Sequence, residues 1–177
     1  MDAASCEWTA EDSDMIELAS YRPIVEHLMS TLIHRQVEDC RAGRNPKTIA
    51  RVSSGWVVLG DAQFLPGYSL LLPDPVVVDL NALSQEQRET YLYEMSVIGD
   101  ALLDVTDAYR VNYEILGNTE PALHAHIFPR YQSEPEELRR VPVWSYDWKN
   151  APAFDPGRDR PVIDRIANYL RQSGIVA

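Results

Sequence analysis

Three short apolar runs follow one another between residues 48 and 73, with no helical pattern between them. They read TIARVSS, GWVVLG and GYSLLLP, and glycine or proline bounds them. Because β-branched and aromatic residues are enriched in strands, each run predicts a β-strand. Asp61 and the pair Pro66-Gly67 mark the turn between the second run and the third.

A long helix is predicted next, over residues 84–106. Ser84 and Gln87 have the spacing of a capping box, in which each side chain satisfies an exposed backbone donor. The apolar face of this helix steps by four and three residues and comprises Tyr91, Met95, Ile98, Leu102 and Val105. The acidic residues lie mostly off that face; they are Glu89, Glu94, Asp100 and Asp104. This pattern predicts a helix that packs one side on a sheet.

Two further strand candidates, RVNYEIL and ALHAHIFP, follow the helix and are separated by the polar loop 117–121. An earlier helix is predicted over residues 23–41, with Pro23 at its first position, and a short final one over 161–172. The order of helix, three strands, helix and two strands favours an α+β fold with an antiparallel five-stranded sheet. We divide the chain into an N-terminal helical extension (1–47), a core (48–132) and a C-terminal arm (133–177).

The charge of the chain limits its partners. A net charge of −11 over 177 residues argues against nucleic acids and anionic membranes, because both require a basic surface. No apolar run approaches the ~20 residues of a membrane helix, and residues 1–14 lack the hydrophobic stretch of a signal peptide. We therefore expect a cytoplasmic protein. Cys6 and Cys40 fit no disulfide framework and are expected to be reduced.

Two histidines, His124 and His126, lie in the last strand candidate in a His-x-His pattern. Side chains of a strand alternate between its faces, so both imidazoles and Ala122 share one face, and the apolar Leu123, Ala125 and Ile127 share the core face. The pattern alone leaves structural, metal-binding and catalytic histidines open. A zinc site needs three or four donors, and the other histidines, His27 and His34, supply no suitable third ligand by their spacing.

A catalytic interpretation has a definite chemistry. An imidazole can attack phosphorus and form a phosphoramidate that water hydrolyses. Asn118 and Thr119 in the preceding loop offer an amide and a hydroxyl to phosphate oxygens, which such an attack requires. His126 is placed to donate to a phosphate oxygen when it is protonated.

The stretch LGNTEPALHAHIFPRY, with the upstream FLPGYSLLLP and the helix between them, resembles the histidine triad (HIT) family of nucleotide hydrolases and transferases. That family's signature alternates three histidines with hydrophobic residues. The resemblance implies that His124 is the nucleophile and that His126 contacts the phosphate and assists the leaving group. It also implies that Asn118 and Thr119 contact the α-phosphate and the bridging oxygen, that Asn112 lies near the site, and that the family's two-fold homodimer forms. Asp61 falls near a ribose-binding position.

Two positions depart from the family pattern. Ala122 stands where the first triad histidine is expected, and Tyr68 stands where many members carry a fourth histidine. The resemblance implies that a backbone carbonyl at the first triad position orients the nucleophile, and alanine keeps that carbonyl. The change is therefore expected to weaken or retune the site rather than abolish it.

The expected function is hydrolysis of a nucleoside phosphate derivative, such as a diadenosine polyphosphate, through a nucleotidyl-histidine intermediate. Three alternatives stand beside it: a nucleotide-binding module with little catalysis, a nucleotidyltransferase to an acceptor other than water, and a metal-binding structural protein. No cofactor is expected, and the sequence leaves open whether a divalent metal accompanies a polyphosphate. Arg130 is interpreted equally as a polyphosphate contact or an exposed strand end. Lys47 and Arg51 are interpreted as solvated charges in preference to cations near the site. Trp144, Tyr146 and Trp148 are interpreted as anchors of the arm in preference to side chains that stack on a base.

Overall fold

A five-stranded antiparallel sheet forms the centre of the protein, in a computed structural model that describes residues 30–177. Its spatial order is β1-β2-β3-β5-β4, so β1 and β4 are the two edges. The strands are β1 (Thr48–Arg51), β2 (Gly55–Leu59), β3 (Ser69–Pro73), β4 (Arg110–Glu114) and β5 (Ala125–Arg130). The α+β fold class and the five predicted strands are confirmed, although β5 begins only after His124.

Helices lie on both faces of this sheet. They are α1 (Leu32–Arg41), α2 (Gln85–Val105), the single turn α3 (Glu136–Arg139) and α4 (Pro156–Gln172). The predicted capping box is present at the start of α2, where Ser84 accepts from the backbone N–H of Gln87 and the Gln87 side chain accepts from that of Ser84. Within residues 30–177 no helix is both long enough and apolar enough to cross a membrane.

The structure corrects two predicted helices. Helix α1 begins at Leu32 because the Thr31 hydroxyl caps it by accepting from the N–H of His34, and Ser30 and Thr31 are not helical. The remaining part of that prediction, 23–29, lies outside the described residues, as do His27 and Cys6. Helix α4 begins at Pro156, not Pro161, because Asp155 caps it and a proline is tolerated in the first turn.

The strand alternation around the histidines is as predicted. Leu123, Ala125 and Ile127 are fully buried in one core, where α2 and α4 contribute Ile98, Leu102, Ile163 and Ile166. Ala122 and Phe128 belong to a second core on the opposite face of the sheet, which α1 and the C-terminal arm cover with Ile33, Val37, Cys40 and Val143. The histidine face is therefore the face covered by α1 and the arm.

Glu94 was predicted to lie off the apolar face of α2, and the structure corrects this. Its side chain is 2% exposed, and its carboxylate accepts hydrogen bonds from the backbone N–H groups of Ser53 and Ser54, both at 2.9 Å, and from the Ser54 hydroxyl. The buried carboxylate thus holds the turn between β1 and β2 by accepting from two of its backbone donors.

Replacing Glu94 by alanine is expected to lower the free energy of unfolding by about 1–3 kcal/mol, because it removes the hydrogen bonds that this buried carboxylate accepts from the turn. Urea denaturation followed by circular dichroism measures the change. Glu89 is the matched control, since it is exposed on the same helix and its replacement by alanine should change stability by less than about 0.5 kcal/mol. Equal effects of the two substitutions would contradict a structural role for Glu94.

Candidate active site

A cavity of about 530 Å³ lies on the histidine face of the sheet. Its walls come from four places: the first turn of α1, the end of β2, the loop 116–120 and the C-terminal arm. Five of the six predicted site residues line it, namely Asp61, Asn118, Thr119, His124 and His126. A cavity of about 600 Å³ elsewhere, lined by residues of α2, α4 and the β5–α3 segment, contains no histidine and lacks this chemistry.

The ring of His124 is fixed by the main chain. Its Nδ1 atom lies 2.8 Å from the carbonyl oxygen of Ala122, and the side chain is 6% exposed. A carbonyl oxygen can only accept, so Nδ1 carries the hydrogen of this bond. In the neutral ring Nε2 is then left with a free lone pair, which is the form in which an imidazole acts as a nucleophile. Alanine at position 122 supplies the required carbonyl without any side-chain function.

His126 lies against His124 with the two ring planes at 73° and their centroids 4.7 Å apart. Its Nδ1 atom is 2.6 Å from the hydroxyl of Tyr68. Burial, together with the nearby His124, lowers the pKa of His126 to about 4. The ring is therefore neutral near pH 7, and a hydrogen bond that it donates there comes from a neutral N–H rather than from the imidazolium that we expected.

The polar residues of the site are distributed unevenly. Asn118 and Thr119 are exposed in the loop that lines the cavity. Asp61, which follows β2, also lines it, and its carboxylate forms an ion pair with Lys47. Asn112 is on β4 opposite Phe128, on the histidine face, but it is not among the residues that line the cavity.

The C-terminal arm forms a wall of the cavity. Trp144 and Trp148 both line it, with their rings nearly parallel and 5.0 Å apart. The indole N–H of Trp144 donates to Glu114 of β4, and its ring meets His126 edge-on at 5.3 Å. The arm is anchored as predicted, since Trp148 packs edge-on against Phe64 at 4.6 Å, but it also encloses the histidines. Leu32 and Ile33 of α1 line the cavity too.

Three cations have partners that sequence reasoning missed. Arg130 is neither exposed nor near the cavity, because its guanidinium is buried and forms an ion pair with Glu134 at 2.9 Å. Lys47 is paired rather than solvated, as the contact with Asp61 shows. Arg51 lies over the ring of Trp56, with 5.3 Å between the guanidinium carbon and the ring centroid, and donates to two backbone carbonyls.

The described residues, 30–177, contain no cluster of side chains that would form a metal site. No three histidine, cysteine, aspartate or glutamate side chains are grouped there in a way that could hold an ion. His34 is exposed on α1 and bonds to Thr31. Cys40 is a buried free thiol whose pKa is raised by that burial.

Comparisons with known proteins identify the fold. No family model and no curated protein sequence matches the chain. Among solved structures, a histidine triad protein from Bradyrhizobium japonicum is 25% identical, with a TM-score of 0.61 over 70% of this chain and 90% of that one. A histidine triad protein from Marinobacter aquaeolei is 21% identical (TM-score 0.64; 80% and 97% covered).

A third structure is described as a hypothetical histidine triad nucleotide-binding protein from Sulfolobus tokodaii. It is 10% identical to this chain, with a TM-score of 0.62 over 78% of this chain and 92% of that one. All three superpose over nearly their whole length on a chain whose paired histidines lie at the cavity. This chain therefore has the histidine triad fold, and the resemblance predicted from its sequence is confirmed.

Proposed function

We propose that the cavity binds a nucleoside phosphate derivative and that His124 hydrolyses it by attack at the α-phosphate. One observation carries the proposal: the hydrogen bond from Nδ1 of His124 to the Ala122 carbonyl, which leaves the lone pair of Nε2 for the reaction. The nucleotide-binding description of the Sulfolobus tokodaii protein supports the substrate class, because that protein shares the fold.

The reaction has two steps. In the first, the Nε2 lone pair of His124 forms a bond to the α-phosphorus, the bond from phosphorus to the leaving-group oxygen breaks, and its electron pair goes to that oxygen. In the second, the oxygen of a water molecule forms a bond to the same phosphorus and the water releases one proton to solvent. The phosphorus–nitrogen bond breaks, its electron pair returns to Nε2, and a nucleoside monophosphate leaves the neutral imidazole. The amide of Asn118 and the hydroxyl of Thr119 are available to the phosphate oxygens as charge develops there.

The nucleoside is expected on the α1 side of the cavity. Leu32 and Ile33 of α1 give the cavity an apolar lining there, and Asp61 also lines the cavity. A carboxylate accepts hydrogen bonds from vicinal hydroxyls, so Asp61 suits a ribose. Lys47 forms an ion pair with this carboxylate at the cavity.

A screen of adenylylated and guanylylated compounds, with and without Mg²⁺, tests the proposal. We expect release of the nucleoside monophosphate from at least one compound, measured by chromatography. A second function, binding without turnover, is favoured by one feature: Ala122 removes the side chain of the first triad position. Calorimetric binding of a nucleoside monophosphate with no turnover of any compound would support that second function. If the protein were instead a nucleotidyltransferase, the product would be the acceptor molecule carrying the nucleotidyl group, in place of the free nucleoside monophosphate.

We also propose a homodimer formed through β4. This strand is an edge of the sheet and therefore has unpaired backbone groups, and Tyr109, Tyr113 and Leu116 are each at least 40% exposed beside it. An edge with apolar neighbours is a usual site of strand pairing, and two-fold pairing is the commonest closed arrangement.

Light scattering after size exclusion should give about twice the 20.1 kDa of one chain. Replacing Tyr109 by glutamate should shift the protein toward monomer, since it places like charges across the two-fold axis. Val78, which is 66% exposed away from β4, is the control position for the same substitution. A wild-type protein that elutes as a monomer at all concentrations would contradict the dimer.

A further inference from the structure

Tyr68 is a buried aromatic residue held rigidly beside His126. It is 4% exposed, its ring stacks on Phe128 at 4.2 Å, and Trp148 meets it edge-on. Its carbonyl accepts from the N–H of Gly60 at 2.8 Å. A Cβ atom at position 60 would lie 2.2 Å from the Tyr68 ring, so the ring occupies space that only glycine leaves free. The hydroxyl therefore has a defined position relative to the histidine.

The hydroxyl of Tyr68 has one described partner, Nδ1 of His126, at 2.6 Å. Burial raises the pKa of Tyr68 well above its usual value, and the negative charges of Asp61 and Glu114 raise it further, so the phenol stays protonated. A buried phenol needs an acceptor for its single hydrogen, so in this bond the Tyr68 hydroxyl donates and Nδ1 of His126 accepts. Nδ1 of a neutral imidazole is that acceptor only when the ring hydrogen is on Nε2.

The two histidines are then held in opposite tautomers. His124 has its hydrogen on Nδ1, where the Ala122 carbonyl accepts it, and His126 has its hydrogen on Nε2. One ring offers a lone pair to the cavity and the other offers an N–H donor. Attack at phosphorus requires this combination, namely a nucleophile and a donor to an oxygen of the same phosphate.

We propose that Tyr68 is a positioning residue that holds His126 as a neutral donor with its hydrogen on Nε2. The effect of this role on catalysis rests on the proposed function. The tautomer of His126 does not depend on that function. The titratable groups near Tyr68 and His126 are His124, Glu114 opposite His126 on β4, and Asp61, which also lines the cavity. Neither carboxylate bonds to His126, so the tyrosine is the group that selects the tautomer.

The direct test is the imidazole ¹⁵N spectrum of the wild-type protein near pH 7, with the His126 signals assigned by their loss in a His126→Asn variant. We expect a neutral His126 with a protonated Nε2 and an unprotonated Nδ1. In Tyr68→Phe, which keeps the ring packing, the same signals should move toward a mixture of tautomers. A wild-type His126 with its hydrogen on Nδ1, or an unchanged spectrum in Tyr68→Phe, would overturn the proposal.

These spectra need no substrate, so their outcome is independent of whether the protein hydrolyses nucleotides. Where hydrolysis is found, Tyr68→Phe should lower kcat by about 10- to 100-fold with little change in KM, because a donor to the reacting phosphate is misplaced. Tyr93→Phe is the matched control, since Tyr93 is 60% exposed on α2. A thermal melt like that of the wild type shows that Tyr68→Phe is folded, and a loss of kcat without a tautomer change would refute the positioning role.

Discussion

Replacing His124 by alanine is expected to reduce kcat/KM by roughly 10⁴-fold or more, since removing the nucleophile removes the covalent route altogether. The ring it replaces is 6% exposed and bonded to the Ala122 carbonyl at 2.8 Å, so its position is set by the main chain. The measurement is nucleoside monophosphate release from the best compound of the screen. Nucleotide binding by calorimetry should survive, because the α1 side of the cavity is untouched.

His34→Ala is the matched control for this experiment. His34 is an exposed histidine on α1 whose ring bonds only to the Thr31 hydroxyl among the described contacts. Its loss should leave kcat/KM within about twofold of the wild type, as for a surface change away from the chemistry. Hydrolysis by His124→Ala at the wild-type rate would exclude His124 as the nucleophile.

The largest effect on stability is expected from Glu134→Ala. The ion pair of Glu134 with Arg130 has both side chains at most 5% exposed, and the hydroxyl of Tyr146 also donates to this carboxylate. Removing one partner of a buried pair leaves an uncompensated charge, here that of Arg130, and such losses cost about 3–5 kcal/mol. Urea denaturation should show a fall of this size in the free energy of unfolding.

A surface pair supplies the control. Glu136 and Arg140 form an i,i+4 pair whose side chains are 67% and 76% exposed, so Glu136→Ala should cost less than about 0.5 kcal/mol. If Glu134→Ala were as mild as this control, the buried pair would have no structural role.

The Glu134 pair also predicts a pH dependence. Burial opposes ionisation, but hydrogen bonds from Arg130 and Tyr146 outweigh it and lower the pKa of Glu134 below its ordinary value of 4.5. A carboxyl with a lowered folded-state pKa stabilises the protein fully above its unfolded-state pKa, and this stability is lost as the pH falls through the folded-state value. The stability gap between the wild type and Glu134→Gln should therefore narrow as the pH is lowered below about 5.

The elements of the fold were predictable where the signal was local. The capping box at Ser84 and the strand runs bounded by glycine and proline depend on residues a few positions apart, and the structure confirms them. The predicted helix 23–41 is interrupted at Ser30 and Thr31, where Thr31 caps α1. The start of α4 was placed at Pro161, but the side-chain cap of Asp155 sets it at Pro156.

The site was predictable only in part. Strand alternation was enough to place His124 and His126 on one face, since its period is local. Long-range packing determined the rest: Tyr68 reaches His126 across 58 positions of sequence, and Trp144 reaches Glu114 across 30. Glu94 looked like a surface charge because its partners, Ser53 and Ser54, lie about 40 positions away in sequence. Arg130 has its partner Glu134 only four positions away, but the burial of that pair depends on the arm, which brings Tyr146 to it.

The central claim is that His124 forms a covalent bond to the substrate phosphorus, and mass spectrometry of the protein quenched during turnover tests it most directly. A phosphorus–nitrogen bond is labile to acid, so the quench and the digestion are carried out under alkaline conditions. We expect the peptide containing His124 to gain the mass of one nucleotidyl group in the wild type and in His34→Ala, and no adduct to form in His124→Ala. Turnover with no adduct at His124, or an adduct on another residue, would contradict the account.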